Sequence, residues 1–198
     1  MADLERGRVF RIAPPGSKYK IKPPVIKDAA SAIAALKNPN LSTRYLAWTK
    51  LHDMGTAAEK ELLEMYGDDN PRYRARALWL LSKLPDGEKH IRTALQDKNP
   101  DIRIAAIRAA KETGLQYGDM LVADTSAAVR RQELLSMYHS HEKDMPAIWA
   151  QLAAQYNGHD RWYLEALGIA ADGNWDACFS EWLKLPAHNR NTAAANDI

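Results

Sequence analysis

The residues that could do chemistry are few and scattered. His139 and His141 flank Ser140, but two positions apart on a helix turns the rings to different sides, and no cysteine or further histidine clusters with them to complete a zinc set. The pair reads as a polar helix end. Thr125-Ser126 and Ser140 lack the strand-turn-helix context that exposes a nucleophilic hydroxyl. Cys178 is the one cysteine of the chain, which excludes an internal disulfide and a CxxC pair for zinc, redox work or haem attachment. Catalytic, cofactor-binding and metal-ligating residues are therefore not expected, and no cofactor is.

Two richer sets remain. Six tryptophans are many for a chain of this size; Trp48 and Trp162 are expected in the core or at a junction between structural units, because a large amphipathic ring is foremost a packing element. Arg72, Arg74, Arg76, Arg103, Arg108, Lys111, Arg130 and Arg131 could track a phosphate backbone. Against that stands a formal net charge of +2, with 27 basic and 25 acidic residues, and Asp68, Asp69, Asp97, Asp101 and Asp124 beside the arginines. No overall field draws the chain to nucleic acid.

What must position these residues is a folded, soluble body. The 198 residues are 46% hydrophobic and 26% charged, an ordinary globular composition, and the chain is long enough to bury roughly 70% of its unfolded surface. No run approaches the roughly 18 apolar residues of a membrane span, and Met1-Ala-Asp-Leu-Glu-Arg6 lacks the apolar core of a signal peptide.

The organisation is a repeat. Asn38, Asp68, Asp97 and Asp124 are each followed six positions on by Arg44, Arg74, Arg103 and Arg130, and a weaker copy carries Arg161, giving arginine spacings of 30, 29, 27 and 31. Pro39, Pro71 and Pro100 stand where a chain starts a helix, since proline's fixed φ suits the first turn and its missing N–H has no partner there in any case. After each arginine, apolar residues fall at +3, +4 and +7: Ala47, Trp48, Leu51; Ala77, Leu78, Leu81; Ala106, Ile107, Ala110. In the fourth copy Glu133 occupies the first of these positions. Upstream of each signature lies a shorter amphipathic segment, over 28–36, 56–66, 88–96, 116–122 and 145–156, and Thr56 to Glu59 reads as a capping box. Gly55, Gly114 and Gly173 are expected as helix stops.

One such hairpin cannot bury its own apolar face, whereas stacked hairpins share a continuous core. The expected fold is all-α, an α-solenoid of about five helix hairpins over 28–185, after an extended 1–27 with a short strand at Arg8–Ile12 and before a tail at 186–198. Trp175, Phe179 and Trp182 mark a last helix that closes the stack. The +2, +5 and +9 positions give a mixed face, Arg76, Trp79 and Lys83, then Arg108 and Glu112, then Gln132, Leu135 and His139. It is the candidate surface for a protein partner, since aromatic and arginine anchors dominate binding energy.

The acid, proline and arginine signature followed by helical spacing resembles HEAT repeats of the short bacterial kind, over about 28–184. The resemblance implies a structural ladder from repeat to repeat, formed by Asn38, Asp68, Asp97, Asp124 and Arg44, Arg74, Arg103, Arg130, Arg161, with Gln155 where the last acid should stand. Gly7-Arg-Val-Phe-Arg-Ile-Ala-Pro14 is similar to the last propeller strand of membrane-bound dehydrogenases that carry a β-propeller and a cytochrome c domain. Asp160-Arg-Trp-Tyr-Leu-Glu-Ala-Leu-Gly-Ile-Ala-Ala-Asp-Gly173 and Arg74-Ala-Arg-Ala-Leu-Trp-Leu-Leu81 resemble their helical segment. This implies a non-catalytic spacer between those two domains in an exported, periplasmic oxidoreductase. With no CxxCH, the family's redox activity does not transfer to these residues. Two alternatives stay open: a nucleic-acid-binding protein like the HEAT-like DNA glycosylases, and an independent adaptor.

Overall fold

A computed structural model describes residues 14–16 and 23–198; the strand expected at Arg8–Ile12 lies outside them. Among the described residues the regular structure is all helical: α1 (Ala29–Leu36), α2 (Leu41–Met54), α3 (Glu59–Tyr66), α4 (Pro71–Leu81), α5 (Gly87–Leu95), α6 (Pro100–Thr113), α7 (Ala127–Ser136), α8 (Met145–Ala153), α9 (Arg161–Ala171), α10 (Trp175–Lys184) and the short α11 (Ala187–Arg190).

The helix starts are set locally. Asn40, Asn70 and Asn99 cap α2, α4 and α6, each side chain accepting a backbone N–H of the first turn, and Pro71 and Pro100 take the first helical position, as the geometry of an unsatisfied first turn favours. Asp28 and Ser31 bond reciprocally at the start of α1. Gly114 ends α6 in the left-handed region with φ 73°, a conformation that penalises any Cβ.

The hairpins then stack. α1 packs on α2, α3 on α4 and α5 on α6, while α6 also meets α4 and α7. Three clusters of buried side chains follow one another along the stack, and two helices belong to two clusters each. α4 sends Ala77, Leu80 and Leu81 to the first and Leu78 to the second; α7 sends Val129 to the second and Leu134 to the third. This sharing joins the hairpins into one HEAT-like α-solenoid.

Two local expectations are corrected. Thr56 and Glu59 form no capping box: Gly55–Ala58 is a 3-10 turn, and α3 starts at Glu59 with no side-chain cap on Ala58. The helix expected over 116–122 is a run of turns at 118–123. Gly118 has φ 58°, and the few residues between it and Gly114 are too short to repay the cost of helix nucleation. Leu121 and Val122 are still buried, so the apolar residues do their packing without a helix. Beyond this point the packing changes, with α7 against α9 and α8 against α10.

Gly87 is a close approach. A Cβ there would lie 2.3 Å from the Ser82 carbonyl oxygen and 2.7 Å from its carbon, both backbone atoms that cannot swing aside. Gly87→Ala should lower stability by about 1–3 kcal/mol in a denaturant melt. Gly168→Ala, inside α9 with no atom within 4 Å of the added carbon, should instead raise it by roughly 0.5–1 kcal/mol.

Candidate functional site

The signature residues converge at the junctions between hairpins. Arg103 reaches forward to Asp124 with two bonds, Nε to Oδ2 at 2.7 Å and Nη2 to Oδ1 at 2.8 Å, and its Nη1 donates to the Asp97 carbonyl at 2.7 Å. Arg74 pairs with Asp97 through a single bond from Nη2, while its Nε donates to the Tyr66 carbonyl at 3.0 Å. Each acid meanwhile accepts a backbone N–H two residues on, Asn70 at Asp68, Asn99 at Asp97 and Ser126 at Asp124, which fixes the loop leading into the next helix. Burial by itself would push the Asp97 and Asp124 carboxyls up. The arginine partners and the loop N–H groups outweigh it and hold both below the usual carboxylate range.

The ends of the series differ. At the first junction Lys37 pairs with Asp68 at 2.8 Å, while Arg44 turns back to the carbonyls of Asn38 and Pro39, and Asn38 accepts the Asn40 N–H. Arg130 donates to the Asp124 carbonyl and lies over the Tyr163 ring. Gln155, standing for the missing acid, donates to the Val122 carbonyl at 2.7 Å.

Arg161 is off this line. Its guanidinium is exposed and, among the described residues, meets Glu165, four residues on in its own helix. The reason is register. Arg44, Arg74, Arg103 and Arg130 are each four residues after the cap of their helix, Asn40, Asn70, Asn99 and Ser126, whereas Arg161 directly follows its cap Asp160. The equivalent residue is Leu164, and the apolar pattern counted from it, Leu167 and Ala171, is buried. Trp162, expected at a repeat junction, is 71% exposed for the same reason.

The mixed face is a second set of cross-repeat links. Arg76 on α4 donates to the Leu36 carbonyl at the end of α1 at 2.9 Å; Lys83 pairs with Glu112 of α6; Arg108 donates to Gln132 of α7 at 2.9 Å; and His139 reaches Asp172, after α9, at 3.3 Å. Trp79 is half-buried against the second core cluster. Arg108, Glu112, Leu135, Tyr138 and His139 stay exposed around these links, with His139 stacked on Tyr138 at 3.8 Å.

This geometry is what a stacked helical repeat requires. The family model for HEAT repeats matches residues 60–138. That stretch holds nearly all of α3 and continues through α7, and it includes both arginine-aspartate junctions at Asp97 and Asp124. No curated protein and no solved structure matches the chain. Among the described residues no three of His, Cys, Asp and Glu cluster to hold a metal ion, and no helix is long and apolar enough to cross a membrane.

Glu133 breaks the pattern. It stands where the other repeats place Ala47, Ala77 and Ala106, is fully buried, and neither carboxylate oxygen has a hydrogen-bond partner. Burial, with Asp124 and Asp119 nearby, pushes its carboxyl up to about 8. The misfit was visible in the sequence, but its surroundings were not, because they depend on the turn that replaces a helix over 116–122.

An acid whose pKa is raised by folding keeps its proton in the native state while the unfolded chain ionises, so stability must fall as pH rises from about 4.5 to about 8 and level off above. Glu133→Leu, which removes the buried acid, should abolish that loss and melt above the native chain at pH 8. Melts at pH 5 and pH 8 check this.

Proposed function

We propose that the chain is a non-catalytic, protein-binding scaffold, and that it serves as a rigid spacer between a dehydrogenase-like propeller and a cytochrome c domain in a larger exported oxidoreductase. One observation carries the scaffold reading: neighbouring repeats are bonded on two sides, by Arg74–Asp97 and Arg103–Asp124 at the loops and by Lys83–Glu112 and Arg108–Gln132 along the mixed face. A stack in which each unit is fixed by its neighbours is stiff. It can set distance and orientation where a Gly/Ser-type linker could not.

The spacer reading rests on the resemblance of Gly7 to Pro14 to a propeller strand and of Asp160 to Gly173 to the helical segment that follows. In that arrangement the exposed part of the mixed face, Arg108, Leu135, Tyr138 and His139, meets the neighbouring domains, and Arg76, Trp79, Lys83 and Gln132 hold that face in shape. The ladder residues are structural in this reading. The guanidinium groups of Arg44, Arg74, Arg103 and Arg130 are occupied by aspartates and carbonyls, which takes Arg74, Arg103 and Arg130 out of the basic run.

Deleting one repeat, 87–114, from the full-length protein should leave a shorter stack and slow electron transfer from substrate to cytochrome, because transfer depends on the separation the stack sets. Transfer as fast in the shortened protein as in the intact one contradicts the spacer reading.

A further inference from the structure

The turn at 118–123 leaves a gap where the other repeats have their first helix. A cleft of about 600 Å³ opens there between the end of α6, the segment after Gly114, α7 and the loop leading to α8. That volume lies within the range of small-molecule sites. Its apolar wall is Ala110, Leu115, Met137, Met145 and Ile148, and Glu133 lies on its α7 side.

The hydrogen-bond arithmetic around Glu133 is one-sided. The Ser136 hydroxyl gives its only proton to the Glu133 carbonyl at 2.6 Å, so the bond of 2.8 Å between Tyr117 and Ser136 must use the tyrosine proton. Lys111, on the rim, already donates to the Tyr138 carbonyl. Around Glu133 what remains is its orphaned carboxyl and the lone pairs of Tyr117 and Ser136, while other donors of the lining, Gln116, His141 and Lys143, are exposed to solvent. Orphaned buried polar groups of this kind are uncommon and call for an explanation. A ligand that satisfies them has to bring its own N–H donors and, for a carboxylate, positive charge.

We propose that this cleft binds an organic cation, an alkylammonium or guanidinium head that pairs with Glu133 while its aliphatic stem lies along Leu115, Met137, Met145 and Ile148. The Glu133 carboxyl is fully buried and makes no hydrogen bond, so pairing requires it to rotate about its side-chain torsions toward the incoming head. Asp119 and Asp124 add negative potential at Glu133, and Tyr117, Tyr163 and Glu142 are the other titratable groups coupled around it. Asp124 is paired with Arg103, and of the carboxyls that line the cleft, Glu133, Glu142 and Asp144, Glu133 is the one that is buried with no hydrogen-bond partner. At pH 7 Glu133 carries its proton, consistent with a value of about 8; the cation displaces it, the carboxylate forms, and one proton leaves to solvent.

The test is titration calorimetry on the full chain at pH 7 with agmatine and cadaverine, with neutral 1-pentanol as control, in two buffers of different ionisation enthalpy. A capped Gly-Arg-Gly peptide distinguishes a free small molecule from a partner's side chain as the source of the head. The expected result is saturable binding of at least one amine or of the peptide, no matching affinity for 1-pentanol, and release of close to one proton. Glu133→Gln, nearly isosteric and expected to fold, should weaken binding at least tenfold and abolish proton release, and Glu133→Leu should do the same. If the amines bind, the ligand is a small molecule; if the peptide alone binds, the head belongs to a protein. No binding of any cation, or binding undiminished in Glu133→Gln, overturns the proposal.

Discussion

A hairpin of two short amphipathic helices exposes more apolar surface than it can cover by itself, and the rest of this structure follows from that constraint. α4 and α7 each give side chains to two successive core clusters, so removing either would open the core on both sides. Stacking also brings loop against loop at every junction. There the backbone N–H groups leading into the next helix need acceptors, and Asp68, Asp97 and Asp124 supply them. A buried carboxylate needs a counter-charge in turn, which Arg74 and Arg103 supply from the preceding repeat.

The same logic explains which parts were legible in the sequence. Prolines and the +3, +4, +7 apolar stripe are local rules, and they located α2, α4 and α6 and the stacked all-α fold; Pro71 and Pro100 take the first helical position, while Pro39 stands just before the cap Asn40. Arg161 departs from the expected ladder because an arginine near a helix start looks alike in sequence at the first and fourth positions. Only the first-turn geometry, with Asp160 accepting from Trp162 and Tyr163, shows that Leu164 is the equivalent residue. The helix expected over 116–122 failed because its apolar residues fit a helical spacing, while Gly114 and Gly118 both take positive φ and break the segment.

Where the repeat fails, chemistry becomes available. An alanine at the position of Glu133 would suit a first helix packed closely above it, as Ala77 and Ala106 do in their repeats. Without that helix there is room for a longer side chain and for the cleft over it. A regular array offers its partner an extended face; this irregular fourth repeat adds a concave pocket to it. The two features are independent, since the mixed face links repeats through Arg108 and Gln132 on α6 and α7 without involving the Glu133 carboxyl.

The repeats are held to one another by the arginine-aspartate junctions as well as by their shared core. A double-mutant cycle on Arg103 and Asp124, with Arg103→Ala, Asp124→Ala and the pair measured by denaturant melts, isolates that junction. Each single substitution leaves a nearly buried charge unpaired, so each should cost about 1–3 kcal/mol, and the double should cost clearly less than their sum. Additive losses, or an unchanged midpoint in Arg103→Ala, would contradict the account.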